Sequence, residues 1–220
     1  MNNLFDQRKT VRKYTDQQVP KDVLLNILSK AQRAPSWGNS QPWEVYVAAG
    51  ESLERLRKAY LAAYDHKEET DDRDMPKPKK WPDNLQNRMS ESIAKVFADS
   101  GIIRDDRQAR EKNWRNNFSF FNAPVAVFLC LERELTEWST LDAGIYAGHL
   151  MLAATYYGLG STPAASSVSY PHILREILKI PDHQRVIVGI MMGYEDADHP
   201  YNRPVSIRVP VSEAIHFRGI

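Results

Sequence analysis

Two short stretches carry the residues best suited to chemistry. The first is Arg8-Lys9-Thr10-Val11-Arg12-Lys13-Tyr14. In an extended chain alternate side chains share a face, so Arg8, Thr10 and Arg12 point to one side. Two guanidiniums and a hydroxyl converging on one point suit a phosphate monoester, because Arg makes planar, charge-assisted and often bidentate bonds to it. The second stretch is Pro35-Ser36-Trp37-Gly38-Asn39-Ser40-Gln41-Pro42-Trp43, which mixes amide, hydroxyl and aromatic groups with turn-forming Pro and Gly. That mixture suits a flat polar heterocycle. Together the stretches point to a phosphorylated flavin. A basic run near a terminus, taken by itself, is ordinarily a solvated face; the pairing with the second stretch and with the C-terminal half gives it weight.

The elements that must position these groups follow from periodicity. Val23, Leu24, Ile27, Leu28 and Ala31 recur at helical spacing and predict a helix over 20–34, with Pro20 near its start. Residues 43–48 read as a strand and 51–64 as a second helix. Over 65–88 charge and proline dominate, which predicts a long excursion, either a mobile lid or an inert surface loop. Charged helical patterns cover 85–100 and 104–116, and a buried strand is predicted at 125–131. Residues 141–157 are apolar nearly all round, which marks a central helix, and Gly158-Leu159-Gly160 ends it. A further helix over 172–179 and a strand over 185–192 follow. The tail from Asn202 is too apolar to be a free end and is expected to pack on a second subunit. Few strands separated by helices predict an α+β domain with a central mixed or antiparallel sheet.

Composition narrows the function. The chain has 220 residues, with 29 basic and 28 acidic side chains and a net charge of +1. One domain spanning 1–220 accounts for that length, and the near-neutral balance argues against a dedicated nucleic-acid binder. The single cysteine, Cys130, lies in an apolar run and reads as a buried strand residue rather than a nucleophile. No secretory leader and no membrane-length apolar run is legible, so a cytoplasmic protein is expected. None of the six histidines pairs with a His or Cys at metal-ligand spacing. There is no Gly-x-Ser-x-Gly elbow, no Walker loop and no Gly-x-Gly-x-x-Gly after a strand. Asp142 and Glu132 are given no acid–base role.

The pair of opening stretches resembles the FMN-dependent nitroreductase family, whose members begin Arg-x-Ser-x-Arg-x-aromatic and continue Ala-Pro-Ser-x-x-Asn-x-Gln-Pro-Trp. Thr10 stands for the Ser, Tyr14 fills the aromatic place, and residues 34–43 match the second pattern at every fixed position. Asn116 through Val125 is similar to a segment of the nitrobenzoate-reductase-like branch. The helix after Leu141-Asp142, the stretch Thr162-Pro163-Ala164-Ala165, and the closing run Asn202 to Val211 resemble further parts of the family. The likeness is weakest over 65–88.

That resemblance implies an intertwined homodimer with FMN as cofactor. Arg8, Thr10 and Arg12 would hold the phosphate and ribityl chain, with Arg208 adding a third guanidinium and Lys9 near the pyrimidine side or the phosphate. Pro35, Ser36, Trp37 and Asn39 would line the cofactor of the neighbouring subunit. Asn117 would reach the ring or ribityl oxygens, with Asn116 as the fallback. Pro163, Ala164 and Ala165 would pass beside the ring, the Ala165 amide at flavin N5. The implied reaction is ping-pong: NADH or NADPH reduces the flavin, and a small aromatic oxidant such as a nitroaromatic or a quinone reoxidises it. No side-chain acid or base is required. A flavin-binding protein without turnover, or another flavin reaction such as dehalogenation or desaturation, remains the alternative. Phe118, Phe120, Phe121 and Trp37 are candidates for an aromatic-lined cavity, with at least two of the three Phe expected to be plain core.

Overall fold

The computed structural model describes residues 3–69, 73–103, 105–203 and 206–219. In chain order the elements are α1 (Leu4–Gln7), α2 (Lys21–Ala31), β1 (Glu44–Ala49), α3 (Gly50–Asp65), α4 (Asp83–Asp99), α5 (Arg107–Arg115), β2 (Val125–Glu132), α6 (Glu137–Tyr156), β3 (Gly160–Ala164), α7 (Pro171–Leu178), β4 (Gln184–Gly193) and α8 (Val211–Ala214). The sheet runs β1-β2-β4-β3, and every neighbouring pair is antiparallel. Register is fixed by pairs such as Tyr46 opposite Phe128, Val127 opposite Ile190 and Thr162 opposite Met191.

The continuous apolar run of β2 has a direct physical reason. Alternate residues face opposite sides of a strand, and here both sides are covered by helices. Ala126, Phe128 and Cys130 pack with Leu53, Leu56 and Tyr60 of α3 and Leu174 of α7. Val125, Val127 and Leu129 pack with Ile27 and Ala31 of α2 and Tyr146 and Leu150 of α6. The result is three layers, helices on either side of one sheet. Each fully buried Leu or Phe in them contributes on the order of 1.5–3 kcal/mol.

Two sequence expectations are corrected. Residues 160–164 form strand β3, although Gly160, Ser161 and Pro163 disguise it as a loop. Pro163 is tolerated because β3 is an edge strand, where a missing donor costs no ladder bond on the open side. Gly160 meets a close approach, since a Cβ there would lie 2.5 Å from Val11 Cγ2. The excursion predicted over 65–88 is shorter, because α3 runs through Asp65 and α4 begins at Asp83, an acid in the first turn that suits the helix dipole. Thr70, Asp71 and Asp72 of that excursion lie outside the described residues, as do Arg104, the expected start of α5, and Pro204 and Val205 of the closing motif.

The tail is laid out with its apolar side chains exposed: Ile207, Val211, Ile215 and Phe217 all face solvent in the single chain. Among the described residues no helix is long and apolar enough to cross a membrane.

Candidate functional site

The basic stretch runs extended beside the edge strand. Thr10 bridges to Ser161 in parallel fashion, and the Val11 N–H donates to the Ser161 carbonyl at 3.1 Å. The Val11 carbonyl accepts from the Tyr14 hydroxyl at 2.8 Å and from the Thr162 hydroxyl. From the other side Asn202, 1% exposed, locks the segment. Its side-chain oxygen accepts from Arg12 N–H at 2.8 Å and from Lys13 N–H at 3.2 Å, while its amide donates to the carbonyls of Lys13 at 2.7 Å and Asp196 at 2.8 Å. A backbone held at this many points fixes the direction in which Arg12 leaves it.

Arg12 enters a cavity of about 260 Å³ whose wall includes Thr162, Pro163, Ala164, Ala165, Asn117 and Phe121. Burial lowers the pKa of its guanidinium from the ordinary value, with nearby Tyr14 opposing. Arg stays charged at physiological pH, so the shift reports a cation stripped of water without full compensation. Ala165 opens a short turn, Ala165–Val168, and amides at the start of a helical turn have no acceptor within it. That turn is rigidly set. The buried Ser167 hydroxyl donates to the Ala164 carbonyl at 2.6 Å and accepts from Gly189 N–H at 2.9 Å, and the Tyr60 hydroxyl donates to the Ser167 carbonyl at 2.7 Å. Gly189 is required there, since a Cβ would fall 2.4 Å from Ser167 Oγ.

The second stretch builds a different cavity, of about 400 Å³, lined by Pro35, Ser36, Trp37, Trp138, Leu141, Asp142 and Ile145. Gly38 and Asn39 take left-handed backbone, φ +57° and +58°, which Gly and Asn tolerate best. Ser36 Oγ accepts from Gln41 N–H at 2.9 Å and closes the loop. The Trp37 N–H donates to both carboxylate oxygens of Asp142 at 3.2 Å. Trp37 and Trp138 meet edge to face with centroids 5.4 Å apart, yet they remain 67% and 59% exposed.

The predicted residues therefore divide. Arg12, Asn117, Pro163, Ala164 and Ala165 share the first cavity; Pro35, Ser36 and Trp37 share the second, with exposed Asn39 in the same loop. Arg8 and Thr10 are half-buried beside the first group without lining its cavity. Lys9 is turned away, paired with the Glu195 carboxylate at 2.7 Å and donating to the Asn202 carbonyl at 3.2 Å. Arg208 lies on the exposed tail and bonds only its neighbour's carbonyl, Ile207 O, at 3.0 Å, among the described residues. The Asn117 side chain caps the carbonyls of Asn113 and Trp114, and Asn116 reaches the Arg12 carbonyl at 3.5 Å. Phe118, Phe120 and Phe121 are all buried, and Phe118 and Phe121 also face the first cavity.

Sequence reasoning missed Asn202 as the lock of the clamp, Asp142 as the anchor of the Trp37 loop, and Arg73 and Lys77, which line the first cavity from the excursion. For Asp142 a signal existed: an acid inside an otherwise apolar helix is buried only with a partner. For Arg73 and Lys77 the charge run hid them. Among the described residues no group of three or more His, Cys, Asp or Glu is placed to hold a metal ion.

Comparison with known proteins converges on one family. A sequence model of the Nitroreductase family matches residues 5–194. The 4-nitrobenzoate reductase of Nocardioides sp. (strain LMS-CY) is 33% identical over 213 residues, 96% of this chain and 86% of that protein. The chloronitrobenzene nitroreductase of Comamonas testosteroni is 32% identical, over 99% of this chain and 96% of that one. Among solved structures, the FMN-dependent nitroreductase NfnB of Mycobacterium smegmatis in complex with NADPH superposes with a TM-score of 0.92 at 29% identity, covering 98% of this chain and 96% of that one.

Proposed function

The chain belongs to the nitroreductase family, and from that premise we propose that it is an FMN-dependent oxidoreductase that reduces nitroaromatic compounds or quinones with NADPH or NADH. The observation that carries this reading is the first cavity: a half-buried Arg12 facing a wall of small residues around Ala164 and Ala165, with no acidic side chain among its described lining.

The residues fit FMN on grounds of their own chemistry. Arg8, Thr10 and Arg12 offer two guanidiniums and a hydroxyl on one extended, locked segment, which suits a phosphate monoester and the ribityl hydroxyls. Ala164 and Ala165 present backbone and no bulk to a flat ring, and Phe121 supplies an apolar edge. When bound, FMN supplies the hydride chemistry between the pyridine nucleotide and the oxidant. The protein holds and orients: Asn202 fixes the Arg12 backbone, Ser167 fixes the turn at Ala165, and the guanidinium of Arg12 favours negative charge on whatever lies against it.

One copy supplies only part of such a site. Its 260 Å³ lies below the ~300–1,000 Å³ usual for a pocket enclosing a ligand of this kind. We take a second copy of the chain to complete it, bringing the Pro35–Asn39 loop. The stripe of exposed Trp138, Leu141 and Gly144 with half-buried Gly148 on α6 supports this, since a Cβ added at either glycine meets nothing within 4 Å in the single chain. The apolar tail suits an arm laid on the partner. A cytoplasmic location accompanies a reaction that consumes pyridine nucleotides. Acid release of the cofactor and chromatography tests the assignment: FMN is expected, and a dominant FAD peak contradicts it.

A further inference from the structure

The first cavity holds more positive charge than the reading above uses. Besides Arg12, it is lined by Arg73 and Lys77, both contributed by the excursion between α3 and α4. No Asp or Glu is among the described residues lining it. In the reading above Arg8 and Arg12 answer the charge of the FMN phosphate, and a neutral oxidised ring calls for no further pair of cations. Arg73 and Lys77 exceed that requirement.

Arg73 is placed rather than loose. Its neighbour Asp74, with a side chain 4% exposed, accepts from Arg175 Nη2 at 2.6 Å and from Val186 N–H at 2.8 Å, and pairs with Arg133 Nη1 at 2.8 Å. The excursion is thereby pinned to α7 and β4 at the residue next to Arg73. Arg73 Nη2 then donates to Ser169 Oγ at 2.9 Å, just beyond the turn that starts at Ala165. Its Nε is buried and without a hydrogen-bond partner among the described residues, and so is Ser166 Oγ on the same wall. Lys77 is exposed at the mouth. Partial burial first, and the charge of Arg73 second, lower the pKa of Lys77.

We propose that Arg73 and Lys77 form an anion subsite that recognises a carboxylate carried by the aromatic oxidant, so that the preferred substrates are nitroarenes bearing an acid group. The inference rests on the proposed nitroarene reduction and names its substrate class. Arg73 presents a preset planar fork that a carboxylate can engage at two points. Lys77 adds a point charge that steers the anion to the mouth. Because Asp74 has already fixed the backbone, little ordering is left for the substrate to impose.

The test compares 4-nitrobenzoate with nitrobenzene as oxidant of the FMN-loaded protein, in the parent and in Arg73→Gln, Lys77→Gln and Arg73→Lys. Benzoate is titrated in parallel as a non-reacting anion, followed by the perturbation of flavin absorbance. Expected is a fall of at least about tenfold in the kcat/KM ratio of nitrobenzoate to nitrobenzene in Arg73→Gln, carried by KM, with a matching rise in the benzoate Kd. A smaller fall is expected in Lys77→Gln, and partial rescue in Arg73→Lys. An equal loss for both oxidants would reduce Arg73 to structural support and overturn the proposal. So would unchanged benzoate binding, or a change confined to NADPH against NADH, which would assign the cations to the nucleotide's phosphate instead. If no nitroarene is turned over, the nitroreductase reading fails by itself, and the benzoate titration still decides the anion subsite.

Discussion

The side-chain oxygen of Asn202 accepts the backbone N–H of Arg12 at 2.8 Å, across 190 positions of sequence. This bond ties the end of the described core to the start of the chain and aims the Arg12 guanidinium into the cavity. Replacing Asn202 with Ala leaves the N–H groups of Arg12 and Lys13 without their acceptor, while the Lys13 carbonyl keeps the Asp196 N–H. Each stranded buried group costs about 1–3 kcal/mol. The Asn202→Ala protein is expected to melt earlier and to bind FMN more weakly although Arg12 itself is intact. Thermal unfolding with and without added FMN checks this; unchanged affinity would separate the lock from the site.

Arg12→Ala should weaken FMN binding by at least about tenfold, because a hydrogen bond to a charged phosphate contributes about 1.5–3 kcal/mol. Fluorescence titration of the apoprotein measures it. Lys9→Ala serves as the contrast, since Lys9 is occupied by Glu195 and should change affinity little.

Asp142→Ala removes the acceptor of the Trp37 N–H from a site 5% exposed. The Pro35–Trp37 wall should loosen, with loss of stability of about 1.5–3 kcal/mol for a hydrogen bond to a charged group. Asp142→Asn keeps one acceptor oxygen and should recover most of it. Chemical denaturation of both variants distinguishes the two outcomes.

Burial pushes the Cys130 thiol up from 9.0 to about 12, with the charge of Arg175 partly opposing. An unfolded chain loses this proton from about pH 9.0 upward, while the folded one keeps it. Stability held by the neutral thiol is therefore complete below pH 9.0 and is lost as pH rises toward about 12. The native protein should resist thiol reagents at pH 8 and react at once when denatured. Rapid labelling of the folded state would contradict the buried placement.

Light scattering at low micromolar concentration is expected to find a dimer whose FMN is lost on dissociation. A monomer that retains stoichiometric FMN would contradict a site completed by the second copy.

Much of this arrangement is legible in sequence where one residue type has one physical use. The unbroken apolar run of β2 reads as a strand covered on both faces, and the alternation of Arg8, Thr10 and Arg12 reads as an extended clamp. What escapes is long-range pairing. β3 is built from Gly, Ser, Thr and Pro, which signal a loop until Val11 and β4 are seen to flank it. Asn202 and Asp142 act on backbone groups far away in sequence, and Asp74, Arg73 and Lys77 sit in a charged run that looks solvated. Lys9, drawn into the clamp by its neighbours, goes to Glu195 because alternation points it to the opposite face from Arg8 and Arg12.

The most direct measurement is anaerobic spectroscopy of the purified protein with NADPH and then 4-nitrobenzoate. The yellow flavin absorbance is predicted to bleach on adding NADPH and to return when the nitro compound is added. A flavin that both NADPH and NADH leave oxidised, or that stays reduced in the presence of both nitroarene and quinone, would contradict the proposed function.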